Sequence, residues 1–190
     1  MVLTRKPTIE GAGVHLNRVF GFSESPQLDP FLMLDDFRSD NPEQYIKGFP
    51  WHPHRGIETI TYVLEGSVDH ADSLGNAGTL GPGSVQWMTA GSGLQHSEMF
   101  PLVYEDQPNP LEIFQIWINL PKARKFADPH YKMLWSEDIP VVQSEDQNGR
   151  STQIRIIAGA LDGTQAPQPA PASWARTAEN QVAIWILTME

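Results

Sequence analysis

The chain has no cysteine, which removes disulfides, thiolate metal sites and cysteine nucleophiles together. Any metal held by this protein must be held by His, Asp and Glu. No window approaches eighteen consecutive apolar residues, so no transmembrane helix is expected. The opening stretch, Met1–Thr8, lacks the apolar run of a signal peptide, and a cytoplasmic location is the expectation. Positive charge is also scarce: 13 Lys and Arg stand against 23 Asp and Glu, a formal net charge of −10. That balance repels phosphate backbones and anionic lipid, so neither nucleic acid nor a membrane is expected as a direct partner. The Arg5/Lys6 and Lys122/Arg124/Lys125 clusters are small and read as solvated. No internal repeat is present.

What the chain has in plenty is punctuation. Sixteen prolines and fifteen glycines in 190 residues cut it into short segments and favour strands and turns over long helices. The composition, 40% hydrophobic and 19% charged, is that of a globular protein, with length for one well-buried domain or one domain and part of a second.

Short strands are expected at Val14–Phe22 and Phe31–Leu34, followed by a polar loop over residues 39–50. Residues 57–64 are rich in β-branched and aromatic side chains and stop at Glu65-Gly66, a strand running into a turn. Ser67–Asp72 is the expected partner strand, with turns at Leu74–Gly78 and Thr79–Gly83. A strand over Ser84–Thr89, a glycine-rich turn at Ala90–Gly93 and a further segment at Leu94–Met99 follow. Leu111–Leu120 alternates cleanly, Ile113, Gln115, Trp117 and Asn119 on one face and Phe114, Ile116, Ile118 and Leu120 on the other. Strands separated by turns every eight to twelve residues argue for a β-sandwich or barrel. Beyond Pro121 a short helical turn is expected within Lys122–Tyr131. A strand is expected at Arg155–Gly159, an extended linker at Gly163–Ser173, and a last strand at Val182–Thr188.

Two pairs carry chemistry. In His52-Pro-His54 the imidazoles are two residues apart, so in a strand they share a face at roughly 6.5–7 Å along the chain. They can converge on one ion at about 2.0–2.2 Å each. Pro53 cannot donate to a ladder, which places this piece at a strand start or sheet edge. His96-Ser-Glu98 repeats the spacing just after a glycine-rich turn. Two such pairs on facing strands supply three nitrogens and one oxygen, His52, His54, His96 and Glu98, and leave up to two open positions on an octahedral ion. His15, His70 and His130 have no partner at useful spacing and are taken as structural or solvated.

These segments resemble a known family. Gly48 with His52-x-His54, and Gly91-Ser-Gly93-Leu-Gln-His96, are similar to the two cupin motifs. More narrowly, Phe31–Phe37, residues 52–59, Tyr62–Gly66, Gln86–Gly93, His96–Glu98, Gln115–Pro121 and Pro129-x-Tyr131 resemble, in order, the signature segments of the pirin family. The resemblance implies an all-β fold: a cupin-type double-stranded β-helix (jelly-roll) barrel over residues 1–135, with residues 136–190 as strand and linker leading into an incomplete second cupin domain. It implies one divalent metal, usually iron, on the positions that match here His52, His54, His96 and Glu98. Fe(II) is the expectation, with Mn, Ni, Cu or Zn suited to the same donors. Glu58 occupies the place of the carboxylate ligand of ordinary cupins, and is expected to be unbound or to sit behind the ligands.

The function implied is a dioxygenase acting with O₂ on a quercetin-like flavonol or other catecholic aromatic, Glu98 or a nearby carboxylate taking the hydroxyl proton. Phe49, Trp51, Trp87, Met88 and Trp117 are the candidate pocket aromatics and apolar groups, unless they simply pack the barrel. The alternative is a non-enzymatic, metal-containing regulatory protein that binds a protein partner, for which no pocket beside the ion is needed. Val182–Thr188 is apolar on both faces. It is expected to pair with the first barrel or with a second copy of the chain, giving an at least partly dimeric protein.

Overall fold

The computed structural model describes residues 3–189 apart from positions 25 and 27; of the opening stretch read above, residues 1 and 2 lie outside the described residues. Among the described residues every regular element is a strand or a one-turn 3-10 segment, the all-β class expected. Eleven strands make the first unit: β1 (Lys6–Glu10), β2 (Val14–Phe20), β3 (Phe31–Ser39), β4 (Phe49–His54), β5 (Ile57–Glu65), β6 (Val68–Asp72), β7 (Ala77–Leu80), β8 (Val85–Thr89), β9 (Leu94–Met99), β10 (Leu111–Asn119) and β11 (His130–Leu134). They sort into a seven-stranded sheet, β1-β2-β3-β10-β5-β8-β11, and a four-stranded sheet, β4-β9-β6-β7. Neighbouring strands run antiparallel and are often distant in sequence, as in a jelly roll.

The space between the sheets is filled from both sides. Val14, Leu16, Phe37, Val63 and Ile113 from the larger sheet meet Val68 and Leu80 from the smaller one, all buried. Each such side chain contributes roughly 1.5–3 kcal/mol on burial. Strand β5 shows why its sequence is apolar without alternation. Thr59, Thr61 and Val63 share one face, and Val63 joins the inner core. Ile60 and Tyr62 occupy the other and pack with Trp87, Leu134, Ile157 and Ile184 in a second core. The outer face of the large sheet is thus covered by the C-terminal part of the same chain.

That part contains β12 (Val141–Glu145), β13 (Ser151–Ala158), β14 (Ala160–Leu161), β15 (Thr164–Gln165) and β16 (Ile184–Met189). Strands β12-β13-β16 form one sheet and β14-β15 a two-stranded pair. Strands β1 and β12 carry no strong period in the sequence and were not expected. Ala77–Leu80, expected within turns, is instead an edge strand: at the sheet margin Gly78 has only one neighbour to satisfy. The linker expected at 163–173 is irregular apart from β15. The last strand begins at Ile184 and pairs with β13. Ile184 is buried in the second core, whereas Trp185 and Leu187 keep 38% and 49% of their surface exposed, so one face is covered and the other faces outward.

Candidate metal centre

Strand β4 is the edge of the four-stranded sheet, where Pro53 can sit without breaking a ladder. Its register against β9 is irregular: Phe49 lies opposite Glu98 and His52 opposite His96, three residues on one strand against two on the other. This bulge lets Phe49 pack against the inner core while His52, three positions later, faces the same interior. Trp51 is 55% exposed. His54 then follows His52 on the same face by the strand period.

Three imidazoles meet here. The ring centroids of His52 and His96 are 4.4 Å apart, those of His52 and His54 4.8 Å, and those of His54 and His96 4.9 Å. One ligand atom from each ring lies within 4.8 Å of the others. His52 Nδ1 stands 2.8 Å from the Pro50 carbonyl oxygen; as the donor there, it leaves Nε2 bare. His96 is fully buried, and its Nε2 has no hydrogen-bond partner. Burial, reinforced by the neighbouring imidazoles, pulls His54 and His96 down to about 3, so both are neutral with lone pairs available near pH 7. A buried nitrogen without a partner, beside two more neutral or half-buried imidazoles, is what a divalent cation would satisfy. The donor set fits.

Glu98 is buried on β9 but stands outside the group of three rings whose donor atoms approach within 4.8 Å. Its carboxylate is held from the opposite sheet. Oε1 accepts from Thr61 Oγ1 at 3.1 Å and Gln86 Nε2 at 3.0 Å, and Oε2 accepts from Gln115 Nε2 at 2.8 Å. Two bonds occupy both lone pairs of Oε1, and one bond leaves a lone pair on Oε2. Glu98 therefore has one acceptor position to offer.

Glu58 lies elsewhere. It shares the outer face of β5 with Ile60, where Oε1 accepts from Trp87 Nε1 at 2.9 Å and Thr89 Oγ1 at 2.8 Å. Burial holds its carboxyl above the usual carboxylate range. It is a buried strut under the C-terminal segment, one sheet thickness from the imidazoles.

His70 is where sequence reasoning fell short. It is 3% exposed on β6, with Nδ1 3.5 Å from His96 Nδ1 and Nε2 3.5 Å from Asp72 Oδ2. Tyr131 stacks on its ring at 4.4 Å and 13°. Three adjacent strands thus each bring an i, i+2 pair: His52/His54, His96/Glu98 and His70/Asp72. The third pair has the same i, i+2 spacing as His96/Glu98, so His70 does have a partner at useful spacing, Asp72. Thr61, Gln86 and Gln115 gave no signal, since they meet Glu98 only across the barrel.

A cavity of about 720 Å³ opens beside the rings, lined by His52, His54, Glu98, Phe49, Trp51 and Trp117 among others. Trp117 stands edge-on to His54 at 5.0 Å, and its Nε1 donates to Gln115 Oε1 at 3.0 Å. Of the candidate lining residues, Trp87 and Met88 simply pack the barrel: Trp87 faces the outer core beside Glu58, and Met88 packs with Ala90 and Leu94. Three charged groups of the wall pair with one another, while Arg55, which also lines it, lies over the Phe126 ring at 4.8 Å. Arg18 donates Nε and Nη2 to the two carboxylate oxygens of Asp35 at 2.9 and 2.8 Å, and Nη1 to Glu10 at 3.2 Å.

The pirin family profile matches residues 13–118. The chain is 44% identical to a pirin-like protein of Caulobacter vibrioides over 167 residues, covering 87% of this chain and 58% of that protein. It is 45% identical to the pirin of Rattus norvegicus over 166 residues, 87% of this chain and 52% of that one. A crystal structure of a quercetin 2,3-dioxygenase from Acinetobacter baumannii superposes with a TM-score of 0.76 at 32% identity, covering 89% of this chain and 59% of that one. The chain spans a little over half the length of these relatives.

Proposed function

The chain belongs to the pirin family of cupin-like proteins, and from that premise we propose that its barrel is a single-metal dioxygenase site for flat, catechol-like or flavonol aromatics. The observation that carries this reading is the partnerless, buried Nε2 of His96 beside His52 and His54, with an aromatic-walled cavity open next to them. In this reading His52, His54 and His96 hold one divalent ion, and Glu98 completes the set through the remaining lone pair of Oε2. Fe(II) is the metal we favour. When bound, such an ion supplies Lewis acidity toward a substrate oxygen and, as iron, access to dioxygen.

The rest is the work of the chain. A planar aromatic entering the cavity meets Phe49, Trp51 and Trp117, whose faces and edges suit ring stacking. The volume lies within the range of pockets that enclose ligands of this size. Arg18, Asp35 and Glu10 satisfy one another, so these three groups make no demand for an anionic substrate, which agrees with a neutral polyphenol. In this reading Glu98 Oε2 accepts the substrate's hydroxyl proton. Thr61, Gln86 and Gln115 keep its carboxylate from rotating. Oε2 has one lone pair left to give, so the same atom would serve either to help hold an ion or to take the proton.

The alternative reading is a non-enzymatic, metal-containing regulator that binds a protein partner and needs no pocket beside the rings. The cavity favours the enzyme. The test is iron analysis of anaerobically purified protein, followed by oxygen uptake with quercetin. One equivalent of iron with uptake dependent on quercetin is expected. Stoichiometric iron with no uptake on quercetin or simpler catechols would leave the regulator.

A further inference from the structure

Behind the imidazoles lies a buried pair that does not line the cavity. His70 and Asp72 are 3% and 5% exposed, side by side on β6, and cross-strand neighbours of Glu98 and His96 respectively. The dioxygenase reading makes no use of them, yet their positions fix where the protons of the site must lie. For His96 Nε2 to hold a metal it must be the bare nitrogen of a neutral ring, so the ring proton lies on Nδ1. That atom stands 3.5 Å from His70 Nδ1, which must then accept, and the proton of His70 lies on Nε2. There it points toward the Asp72 carboxylate, 3.5 Å away, an ion-pair distance rather than an aligned hydrogen bond.

Asp72 is itself anchored by the turn that follows it. Oδ1 accepts from the backbone amides of Leu74 and Asn76 at 2.9 and 3.0 Å, and Oδ2 accepts from Asn76 Nδ2 at 2.8 Å. The plane of His70 is set by the stacked Tyr131 ring. The Tyr131 hydroxyl donates to Gln86 Oε1 at 3.2 Å, and the same Gln86 holds Glu98. One connected support therefore reaches both His96 and Glu98.

We infer that His70 is a positioning residue: backed by Asp72, it holds His96 in the tautomer that leaves Nε2 bare for a metal. The inference rests on the metal reading of the site. His52 is served in the same way by a simpler device, the Pro50 carbonyl at Nδ1. Metal-binding histidines generally need such a partner on the far nitrogen, and losing it typically lowers metal affinity 10- to 100-fold. Without His70, the Nδ1 proton of His96 would be a buried donor with nothing to accept it. The proton would shift toward Nε2, the nitrogen the metal needs.

The experiment has two arms on the full chain. In the first, Ni(II) affinity is measured by competition with a chelator for wild type, His70→Leu and His70→Asn. Leucine keeps apolar bulk and offers no acceptor; asparagine places Oδ1 close to where Nδ1 was. His70→Leu should bind roughly 10- to 100-fold more weakly, with His70→Asn recovering most of that loss. Affinities of both variants within twofold of wild type would overturn the inference. In the second arm, ¹⁵N NMR of the metal-free wild type reads histidine tautomers directly, independent of any variant's folding. His96 protonated on Nδ1 and His70 on Nε2 supports the inference; His96 protonated on Nε2 overturns it. A wild type that binds no Ni(II) would sink the metal reading, while the tautomers still decide the role of His70.

Discussion

Replacing Gly91 with alanine should cost more stability than the same change at Gly75, a left-handed glycine in open space. Gly91 sits in the turn before β9 at φ +52°, and a Cβ there would lie 2.1 Å from the Ala127 carbonyl oxygen and 3.0 Å from its carbon. That is more than 1 Å inside the 3.4 Å at which ordinary contact begins, and both atoms are backbone, so no side chain can swing aside. The same carbonyl accepts the amide of Ser92 at 2.8 Å, a bond that must break when the 121–128 segment is pushed away. The left-handed conformation costs an alanine about 1–2 kcal/mol, and the lost bond about 0.5–1.5 kcal/mol more. With some residual strain the total is roughly 2–4 kcal/mol. For a chain of this size that lowers the melting temperature by about 4–16 °C.

Gly75 is the control: it too has a positive φ, +87°, but nothing lies within 4 Å of a Cβ there. Gly75→Ala should lose only the conformational part, about 1–2 kcal/mol. Thermal and urea unfolding of the metal-free proteins, which avoids stabilisation by bound metal, would compare them. Equal losses would refute the steric argument. The Gly91 carbonyl also accepts the amide of Gly56 at 2.8 Å, joining the turn after His54 to the turn before His96. The alanine variant should therefore also bind metal more weakly.

The two carboxylates should separate. Glu98→Gln is expected to lose metal on dialysis, while Glu58→Gln keeps it; equal loss by elemental analysis would mean their roles are misassigned. Glu58→Gln should also raise stability near pH 8. The native state holds the Glu58 proton to a higher pH than the unfolded chain does, so wild-type stability falls as pH rises from the unfolded pKa of 4.5 through the native one. The melting temperatures of the two proteins should converge near pH 4, and a gap that widened on acidification would contradict this sign. The histidines act in the opposite sense. In metal-free protein His54 and His96 sit at about 3 against 6.5 when unfolded, so acidification below 6.5 protonates the unfolded chain first. Stability should drop by up to about 1.4 kcal/mol per pH unit for each ring, and urea titrations in which His54→Gln leaves that slope unchanged would rule the ring out. Finally, Trp51→Ala should weaken binding of a catecholic ligand to the metal-loaded protein several-fold, read by calorimetry, without changing its metal content.

The parts of the site that were legible in the sequence are those a single strand defines. His52/His54 and His96/Glu98 each lie two residues apart, a local signal that needs only the strand period. The grip of Thr61, Gln86 and Gln115 on Glu98 was not legible, because it joins residues on β5, β8 and β10 to β9 across the core, and no local pattern encodes that meeting. The direction of Glu58 was hidden for another reason. Strand β5 is buried on both faces, so hydrophobicity does not alternate and cannot tell the inner side from the outer. The same ambiguity on β8 left open whether Trp87 lines the pocket or packs the barrel. At the C-terminal end, β12 carries Gln143, Ser144 and Glu145 on an edge, where a strand needs few apolar residues and so resembles a loop.

The extra residue in β4 sets how this site can vary between related chains. Strand faces alternate with every residue, and the bulge between Phe49 and His52 is what restores the parity that points His52 and His54 inward. Removing or adding one residue in that short stretch would turn both imidazoles out to solvent while leaving every other side chain of the centre in place. Length changes in the turn after Asp40 or in the loop after Phe100 carry no such penalty. Insertions and deletions should therefore accumulate in those loops and be absent from residues 49–54, where a single one erases two of the three nitrogens at once.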